Sequence, residues 1–442
     1  MEIFAQSTAA PKPSRSIRER SLHGMLSQVS LRVASSRPPA ALNNSDRIPD
    51  GLGGVEIKTA FQPVFSVSHR RIVGFEALAR PCDAAGAPVS LRSLAGALDD
   101  ATDLDRVCCR AHLAAYAAQS VAGSWLFLNI DPTNVVRSPD FVPFFEKLLL
   151  RHQLPPHRIV IEILETACRD EAMVADVVGL FRALGCVVAI DDVGAGHSNF
   201  ERIFRVGPDI IKFDRVVTVA SGDRHLRRVL PSLVSVFHEA GCLVVMEGVE
   251  SEDQALAALD ADTDFVQGFY FARPEAECRA ALSSTLALEL LNERFHQRTN
   301  EHSRREGLIV ARYAAELERA AAALGRGFSL QLACERMLDL AGVERCFQLD
   351  GRGMQLGQNQ EARAKHDGSD PRYDPVADAS GANWCRRPYF RSAVAQPGRV
   401  QASRPYLSIR DRRVCVTLSV ACSVGSELRV LCADLDWDTV MR

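Results

Sequence analysis

Carboxylates end or interrupt short apolar runs in the first two thirds of the chain. Glu76 lies near the end of IVGFEAL, Glu162 lies within IVIEILE, and Asp191 and Asp192 end VVAIDD. A charged group that terminates a buried run must face a site or be neutralised. Other polar residues at the ends of such runs are Asn129, Asp214 and Glu247. The pattern predicts one shared site built from oxygen ligands.

The paired aspartates indicate what this site binds. Asp191 and Asp192 are followed by the glycine-containing segment VGAG, and two adjacent carboxylates resist joint ionisation unless a cation lies between them. A set of carboxylate and amide oxygens suits Mg²⁺ or Mn²⁺, whereas zinc prefers thiolates and imidazoles. Lys212 could hold a phosphate oxygen or position a nucleophilic water. We therefore expect a divalent-metal centre.

The elements that must position these groups alternate between short strands and amphipathic helices from about residue 55 to residue 274. The predicted strands are 59–66, 72–79, 125–130, 159–163, 187–190, 210–213, 243–246 and 265–269. The predicted helices are 104–121, 140–152, 171–184, 223–240 and 252–260. This length and alternation favour an α/β fold of the (β/α)8 TIM-like barrel type, with an open doubly wound sheet as the alternative. In such a barrel the carboxyl ends of the strands share one face, so the polar groups converge.

The remaining chain divides by composition. Residues 1–54 are rich in Ser, Pro, Arg and Ala without periodicity, which predicts a disordered tail. Residues 55–275 form the predicted barrel, and the charge-dense range 276–325 predicts a connecting helix with a solvated face. Residues 326–442 predict a smaller α+β domain, with a helix at 329–341, a strand at 343–349, a polar loop at 351–382 and strands at 413–423 and 427–435.

Bulk properties exclude several classes of protein. A formal charge of −3 and a pI near 6.4 give no basic field for a nucleic-acid polymer. The 13 cysteines are scattered without a C-x-x-C pair, which favours reduced thiols over a disulfide framework. No run approaches the roughly 20 apolar residues of a transmembrane segment, and residues 1–50 lack a signal-peptide core. We expect a cytoplasmic protein.

Seven segments in order resemble the signature segments of EAL-domain cyclic di-GMP phosphodiesterases. They are FQPVFSVSHRRIVGFEALAR, LFLNID, VIEILET, AIDDVGAGHSN, PDIIKFD, MEGVE and VQGFYFARP. The resemblance implies metal-dependent hydrolysis of cyclic di-GMP to linear 5′-pGpG, with two Mg²⁺ or Mn²⁺ ions. Ca²⁺ is expected to inhibit, because its larger and looser coordination should misplace the attacking water.

The same resemblance assigns roles residue by residue. The implied metal ligands are Glu76, Asn129, Glu162, Asp191 and, at a second metal, Asp192. The implied catalytic residues are Glu76, Asp192, Lys212 and Glu247, with the last two around the water. The implied substrate contacts are Gln62, Arg80, Asp214 and Gln267. The segment that couples metal binding to contacts within a homodimer contains Gly194, Gly196 and Glu250.

Two segments depart from the family pattern. The loop DDVGAGHSN has His197 and Asn199 at atypical positions, and PCDAAGAPVS after Arg80 lacks the usual tryptophan. A lone histidine in a glycine loop is not counted as a metal ligand. The alternative function is a catalytically weak or inactive cyclic di-GMP receptor that acts through protein contacts. Such receptors commonly lose metal ligands, and this chain retains the whole set, which favours the enzyme.

The C-terminal range 384–423 is similar to Cache- or PAS-like sensor domains. The resemblance rests on the segment that begins WCRRPYF and on the strand PYLS. It implies a pocket for an unknown small ligand, of anionic or amino-acid-like character, that regulates the barrel. The candidate contacts are Arg387, Tyr389, Arg391 and Tyr406, although packing is an equally good role for the two tyrosines.

Overall fold

The computed structural model describes residues 54–91, 93–94, 101–119, 121, 123–165, 170–196, 200–279, 285–362, 378–408 and 413–441. The predicted tail lies outside these residues except for Gly54, and so do His197 and Asn199. The chain separates into two compact units, divided between Phe295 and His296.

The first unit is a closed barrel of eight strands in sequence order. The strands are β1 (Glu56–Ser66), β2 (Arg71–Cys82), β3 (Trp125–Asn129), β4 (Ile159–Leu164), β5 (Val187–Val193), β6 (Ile210–Phe213), β7 (Leu243–Met246) and β8 (Phe265–Val266). The predicted barrel with its surrounding helices is confirmed, and the open doubly wound sheet is excluded.

One strand of the barrel is reversed. Strands β2 to β8 pair in parallel, whereas β1 is antiparallel to both of its neighbours. Only residues 67–70 separate β1 from β2, and a parallel crossover needs a dozen residues or more. The short connection therefore forces a hairpin, and a regular (β/α)8 pattern does not hold for the first strand.

Besides the helical residues 91 and 93–94, eight α-helices accompany the strands in the described part of the first unit before residue 280. They are α1 (Ala101–Ala118), α2 (Pro132–Arg137), α3 (Phe141–Arg151), α4 (Glu171–Leu184), α5 (Phe200–Val206), α6 (Arg215–Ala220), α7 (Arg224–Glu239) and α8 (Glu252–Asp260). Side-chain caps fix several starts, among them Asp170 before α4 and Asp223 before α7. Ser251 and Gln254 form a capping box at α8. Helices α1, α3, α4, α7 and α8 match the predicted ones, and the short helices α2, α5 and α6 were not predicted.

Two apolar layers hold the barrel. The larger lies between strands and helices and includes Phe61, Phe75 and Phe181. The smaller fills the barrel interior below the strand ends and consists of Val64, Phe127, Val160, Ala189, Ile210, Val245 and Phe265. This apolar cluster, called the inner plug, fills the barrel interior just before the carboxyl ends of the strands. Polar side chains at those carboxyl ends therefore lie against a closed apolar layer.

The helix α9 (Thr285–Gly325) fills most of the predicted connecting range. Leu288 and Leu291 are buried in the core of the first unit. Tyr313, Leu317 and Leu324 are buried in the core of the second unit. The part of α9 from Tyr313 onward therefore has an apolar packed side as well as a solvated one. Among the described residues, no helix combines the length and apolarity that a membrane crossing requires.

The second unit contains an antiparallel sheet with helices on its faces. The sheet order is β10-β9-β14-β13-β11, with β12 paired to β13. Its strands are β9 (Val343–Asp350), β10 (Gln360–Glu361), β11 (Gln401–Ala402), β12 (Tyr406–Leu407), β13 (Val414–Val424) and β14 (Glu427–Asp436). Its helices after α9 are α10 (Leu330–Leu338), α11 (Pro388–Ala395) and α12 (Trp437–Val440). The two sheet faces carry separate apolar clusters, one with α9 and α10 and one with α11.

The backbone at Gly268, just after β8, lies very close to the backbone of Val249, and this contact can be tested by substitution. A Cβ placed on Gly268 would lie 2.1 Å from the carbonyl oxygen and 2.3 Å from the nitrogen of Val249. Backbone atoms cannot move aside cheaply, so we expect Gly268→Ala to lower the free energy of unfolding by about 3 kcal/mol. The melting temperature of the full chain should fall by roughly 8 °C in circular dichroism.

The matched control is Gly179→Ala, in the middle of α4. No heavy atom lies within 4 Å of a Cβ at Gly179, and alanine stabilises a helix interior by about 1 kcal/mol relative to glycine. This variant should melt slightly above the wild type. Equal melting temperatures for Gly268→Ala and the wild type would contradict the close approach.

Candidate active site

A buried lysine lies at the centre of the predicted set. Lys212 in β6 is 0% exposed. Its Nζ lies 2.6 Å from Glu247 Oε1, 3.4 Å from Asp191 Oδ1 and 3.6 Å from Glu76 Oε2. Nζ also contacts Glu162 Oε1. Four predicted carboxylates therefore converge on one ammonium group.

Parallel register explains the convergence. Asn129, the last residue of β3, lies beside Glu162 of β4, and Leu164 of β4 lies beside Asp191 of β5. Glu247 directly follows β7, and its backbone N–H donates to the carbonyl oxygen of Phe213 at the end of β6. Strands that end at one edge of a parallel barrel deliver their terminal side chains to the same face.

Glu76 is held by two amide side chains. Asn129 Nδ2 donates to Glu76 Oε1 at 3.2 Å, and Gln267 Nε2 donates to Glu76 Oε2 at 2.7 Å. Gln62 of β1 lies directly opposite Glu76 in the antiparallel register. Side chains directly opposite each other share a face of the sheet. The structure thus brings together Gln62 and Gln267, which the family resemblance implied, with Glu76 and Asn129.

Burial sets the electrostatics of the cluster. Burial raises the pKa of Glu162 well above its ordinary value, opposed by Lys212 and reinforced by the neighbouring carboxylates. Burial raises the pKa of Glu247 to about 8, again against the attraction of Lys212. Burial alone would lower the pKa of Lys212, but the surrounding carboxylates raise it well above its ordinary value. The lysine is therefore held in its charged form.

Asp192 has an unusual backbone. Its φ is +59°, a left-handed conformation that non-glycine residues adopt infrequently, and its N–H donates to Asp191 Oδ1 at 2.9 Å. Burial, followed by the charges of Asp191 and Asp214, raises the pKa of Asp192 to about 6. Asp191, Asp192 and Glu247 each offer a carboxylate oxygen within 4.8 Å of the other two. This grouping could hold a cation.

The donor set fits divalent metal. Four carboxylates, those of Glu76, Glu162, Asp191 and Glu247, contact one ammonium, and Asp192 lies beside Asp191 and Glu247. The cluster therefore carries more negative than positive charge when ionised. Glu162 Oε2 and Gln267 Oε1 are buried and make no hydrogen bond among the described residues. Buried polar atoms ordinarily have partners. Oxygen donors with unmatched negative charge are the ligands that hard divalent cations such as Mg²⁺, Mn²⁺ and Ca²⁺ prefer.

The remaining predicted residues lie around this cluster. Arg80 is exposed on β2. Asp214 caps α6 by accepting the N–H of Val216 at 2.7 Å. Glu250 is exposed and accepts a hydrogen bond from Arg215 at 3.0 Å. Glu250 follows β7, and the other two predicted coupling residues, Gly194 and Gly196, follow β5.

Gly194 and Gly196 both have positive φ, +103° and +134°. A Cβ on Gly194 would lie 2.3 Å from Val217 Cγ2, so glycine lets α6 approach the end of β5. A Cβ on Gly196 would meet nothing within 4 Å, which leaves its conformation as the reason for glycine there.

Two supporting residues were not predicted from the sequence. Thr218 of α6 is fully buried, and its hydroxyl donates to the carbonyl oxygen of Glu247. Asp105 of α1 accepts hydrogen bonds from Asn134 Nδ2 at 2.9 Å and from the N–H of Asp131 at 3.2 Å, just beyond Asn129. Burial raises the pKa of Asp105 to about 6. A polar residue within the apolar run RVVTVA was the available signal for Thr218.

Curated proteins with related sequences include two phosphodiesterases. RocR of Pseudomonas aeruginosa, a cyclic di-GMP phosphodiesterase, is 34% identical over 155 residues, which cover 34% of this chain and 39% of RocR. TpdA of Vibrio parahaemolyticus, also a cyclic di-GMP phosphodiesterase, is 29% identical over 161 residues, 36% of this chain and 27% of TpdA. The chain thus matches less than half the length of these relatives.

YkuI of Bacillus subtilis is similar over more of the chain. In sequence it is 25% identical over 352 residues, which cover 75% of this chain and 82% of YkuI. The crystal structure of YkuI, with an EAL domain, in complex with substrate c-di-GMP and calcium, covers 90% of this chain and 100% of that one. The TM-score is 0.72 at 20% identity, which establishes a shared fold.

The EAL domain model matches residues 45–274. This match covers the whole barrel and every candidate residue of the site. The chain belongs to the EAL domain family.

Proposed function

We propose that this protein hydrolyses cyclic di-GMP to linear 5′-pGpG in a metal-dependent reaction. The observation that carries the proposal is the convergence of four carboxylates on Lys212, with Asp192 grouped beside two of them, at one face of an EAL barrel. The relatives named as cyclic di-GMP phosphodiesterases, RocR and TpdA, support the choice of substrate. YkuI, whose crystal structure holds c-di-GMP, supports it through the shared fold.

The residues that would hold divalent ions are Glu76, Asn129, Glu162, Asp191 and Asp192. Bound Mg²⁺ or Mn²⁺ supplies a water of lowered pKa and compensates charge on phosphoryl oxygens. The protein contributes a dry floor, since the inner apolar plug lies below the strand ends. It also contributes fixed donors, since Gln267 and Asn129 both hold Glu76.

Lys212 and Glu247 are the residues proposed to orient the attacking water. Lys212 Nζ and Glu247 Oε1 lie 2.6 Å apart at the centre of the cluster, and Thr218 holds the backbone of Glu247. The ammonium of Lys212 stabilises negative charge that develops on the phosphoryl group, which is electrostatic catalysis by a preorganised donor. Gln62, Arg80, Asp214 and Gln267 are proposed to bind and orient the dinucleotide.

The reaction consumes one water. The water oxygen forms a new bond to phosphorus, and the bond from phosphorus to the 3′ oxygen breaks. The product carries a terminal 5′-phosphate at one end and a free 3′ hydroxyl, which takes one of the two water protons, at the other. Opening one of the two phosphodiesters of the ring gives the linear dinucleotide.

The second unit is proposed to sense a small ligand. One face of its sheet carries a polar strip in which Asp434 accepts hydrogen bonds from Arg345 Nε at 2.9 Å and Thr417 Oγ1 at 2.7 Å. Tyr406 OH lies 2.6 Å from Thr417 Oγ1, and the guanidinium of Arg387 lies 5.7 Å from the centre of the Tyr406 ring. Burial of polar groups on a sheet face costs free energy. A ligand that pairs with these groups would offset that cost. In this proposal residues 55–275 form the catalytic barrel, residues 276–325 form the connecting helix and residues 326–442 form the sensing domain.

A homodimer in the cytoplasm is the proposed assembly and location. Val216 and Val219 on α6 are 58% and 54% exposed, and the same helix packs against Gly194 at the end of β5. An apolar helix face next to a metal-binding strand is a suitable place for contacts between copies. Gly194, Gly196 and Glu250 are the residues proposed to couple such contacts to the metals.

The full chain with Mg²⁺ or Mn²⁺ should convert cyclic di-GMP to 5′-pGpG, measured by chromatography of the products. Glu76→Ala should reduce turnover by at least about 10²-fold, because it removes a ligand and the acceptor for two amide donors. Asp176→Asn, an exposed carboxylate on α4, is the matched control and should leave turnover unchanged.

Ca²⁺ as sole metal should support no turnover, and added Ca²⁺ should inhibit the Mg²⁺-dependent reaction. Unchanged substrate in every metal, together with measurable binding of cyclic di-GMP, would reject the enzyme in favour of the receptor. Full turnover with Ca²⁺ alone would contradict the expectation that the looser coordination of Ca²⁺ misplaces the attacking water.

Lys212→Met should destabilise the metal-free protein. Removal of the ammonium leaves Glu162, which is 1% exposed, among other carboxylates without a cation. The expected loss is about 3 kcal/mol, the usual cost of breaking a buried ion pair. It should appear as a lower melting temperature in a chelator and should shrink when Mn²⁺ supplies positive charge.

Lys147→Met, at an exposed site on α3, is the matched control for this loss. It removes the same charge from the chain without touching the cluster, so its melting temperature should equal that of the wild type. A Lys212→Met protein as stable as Lys147→Met in chelator would show that Lys212 does not neutralise the carboxylates.

Sensing by the second unit has a direct test. Among free amino acids and small carboxylic acids, at least one should bind the full chain in calorimetry and raise its melting temperature by several degrees. Arg387→Ala should abolish that binding, and Arg399→Ala, at an exposed residue beyond α11, should preserve it. Binding that persists in Arg387→Ala would place the ligand elsewhere.

A further inference from the structure

Strands β1 and β2 continue beyond the barrel as a two-stranded arm. Residues 56–60 pair with 78–82 in antiparallel register. Strand β3 pairs with β2 only through Gly74–Glu76, and β8 pairs with β1 only through Phe65 and Ser66. The β1–β2 arm, residues 56–60 and 78–82, therefore extends past Glu76 on the side where the parallel strands end.

The β1–β2 arm has one packed face and one open face. Ile57 is buried in a small apolar cluster with Leu94 and Val107, and Ala79 packs against the same cluster. Alternate side chains of a strand point to opposite faces. Lys58 and Arg80 consequently lie on the open face.

This open face is continuous with the active site. Gln62 is four residues from Lys58 on β1, and Glu76 is four residues from Arg80 on β2, so all four share one face. Farther along β1, Val64 on this face is buried in the barrel interior, which fixes the direction of the face. Four residues of antiparallel strand span about 13 Å. The arm thus presents Lys58 and Arg80 about that far from Glu76.

Two like charges stand directly opposite on this face. Lys58 and Arg80 are register partners, and both are exposed. Like charges directly opposite on a sheet destabilise it. Among the described residues neither cation forms a salt bridge, and the hydrogen bond made by Arg80 Nη1 goes to the neighbouring carbonyl of Ala79 at 3.0 Å. Glu56, two residues before Lys58 on the same face, forms no salt bridge with another described residue either.

We infer that Lys58, together with Arg80, binds the phosphate of the cyclic dinucleotide that is not being cleaved. This inference rests on the proposed function and names a binding residue for it. The ring has two phosphates, and when one lies at the carboxylate cluster the other lies away from it. An arm with two unpaired cations on the face that leads to Glu76 matches that second anion. Arg80 offers a planar fork of donors and Lys58 a mobile point charge.

Lys58→Met tests the assignment against Lys147→Met, which removes the same charge from an exposed helix position. At low salt we expect Lys58→Met to raise KM about five- to tenfold with kcat changed less than about twofold, since a charged contact made equally in ground and transition states affects binding alone. The difference should shrink at about 0.5 M salt because exposed charges are screened. Lys58→Arg should restore most of the affinity.

Binding provides a readout that is independent of turnover. Calorimetry of cyclic di-GMP with the full chain in Ca²⁺ should show the same five- to tenfold loss for Lys58→Met at low salt. Melting temperatures of Lys58→Met and wild type should agree, since Lys58 has no salt bridge to lose among the described residues.

The outcomes separate the inference from the function on which it rests. If the wild type binds and hydrolyses cyclic di-GMP while Lys58→Met matches Lys147→Met in KM, affinity and salt dependence, the role of Lys58 is overturned and the function stands. A fall in kcat with unchanged affinity also overturns it. If the wild type neither binds nor hydrolyses cyclic di-GMP, the proposed function fails first.

Discussion

One buried ammonium among buried carboxylates is the interaction on which the active face depends. Lys212 is 0% exposed and Glu162 is 1% exposed, and removal of either charge from water is costly unless the other compensates it. The cluster then adds Glu76, Asp191 and Glu247 to the same ammonium. One lysine cannot balance them all. The protein therefore gathers more carboxylates at this face than one ammonium can neutralise, and the rest of the fold must supply the energy that holds them together.

The closed barrel supplies that energy through packing and backbone pairing. The inner plug and the layer beneath the helices bury large aromatic and aliphatic side chains, each contributing about 1.5–3 kcal/mol. Helix α6 approaches the end of β5 at Gly194, and Thr218 on that helix holds the backbone of Glu247. Reversal of β1 lets Gln62 face Glu76 and lets the β1–β2 arm extend beyond the barrel. Apolar contacts below the site thus stabilise polar groups that would otherwise repel.

The barrel and the converging carboxylates were predictable because both follow from local patterns. Each buried strand is a short apolar run. The acids at the ends of these runs lie on one face because the parallel strands of a barrel all end there. The reversed β1 was also accessible, since residues 67–70 are too few for a crossover, but periodicity alone gives no strand direction. Helices α2, α5 and α6 were not predicted because six or seven residues are too few to show the hydrophobic periodicity of a helix. Asp105 and Thr218 were missed because their partners are 26 to 29 residues away, and such pairings form only in the folded chain.

Backbone strain and unmatched charge occur at the same end of β5. Asp192 has a φ of +59°, and the adjacent Asp191 contacts the buried lysine. Strained backbone costs on the order of 1–3 kcal/mol and persists only where the surroundings enforce it. Stability alone would favour glycine at position 192 and fewer acids around it. Departures from the rules that stabilise a fold concentrate at functional sites. Their coincidence at Asp191 and Asp192 supports this strand end, more than any single carboxylate, as the centre of the proposed site.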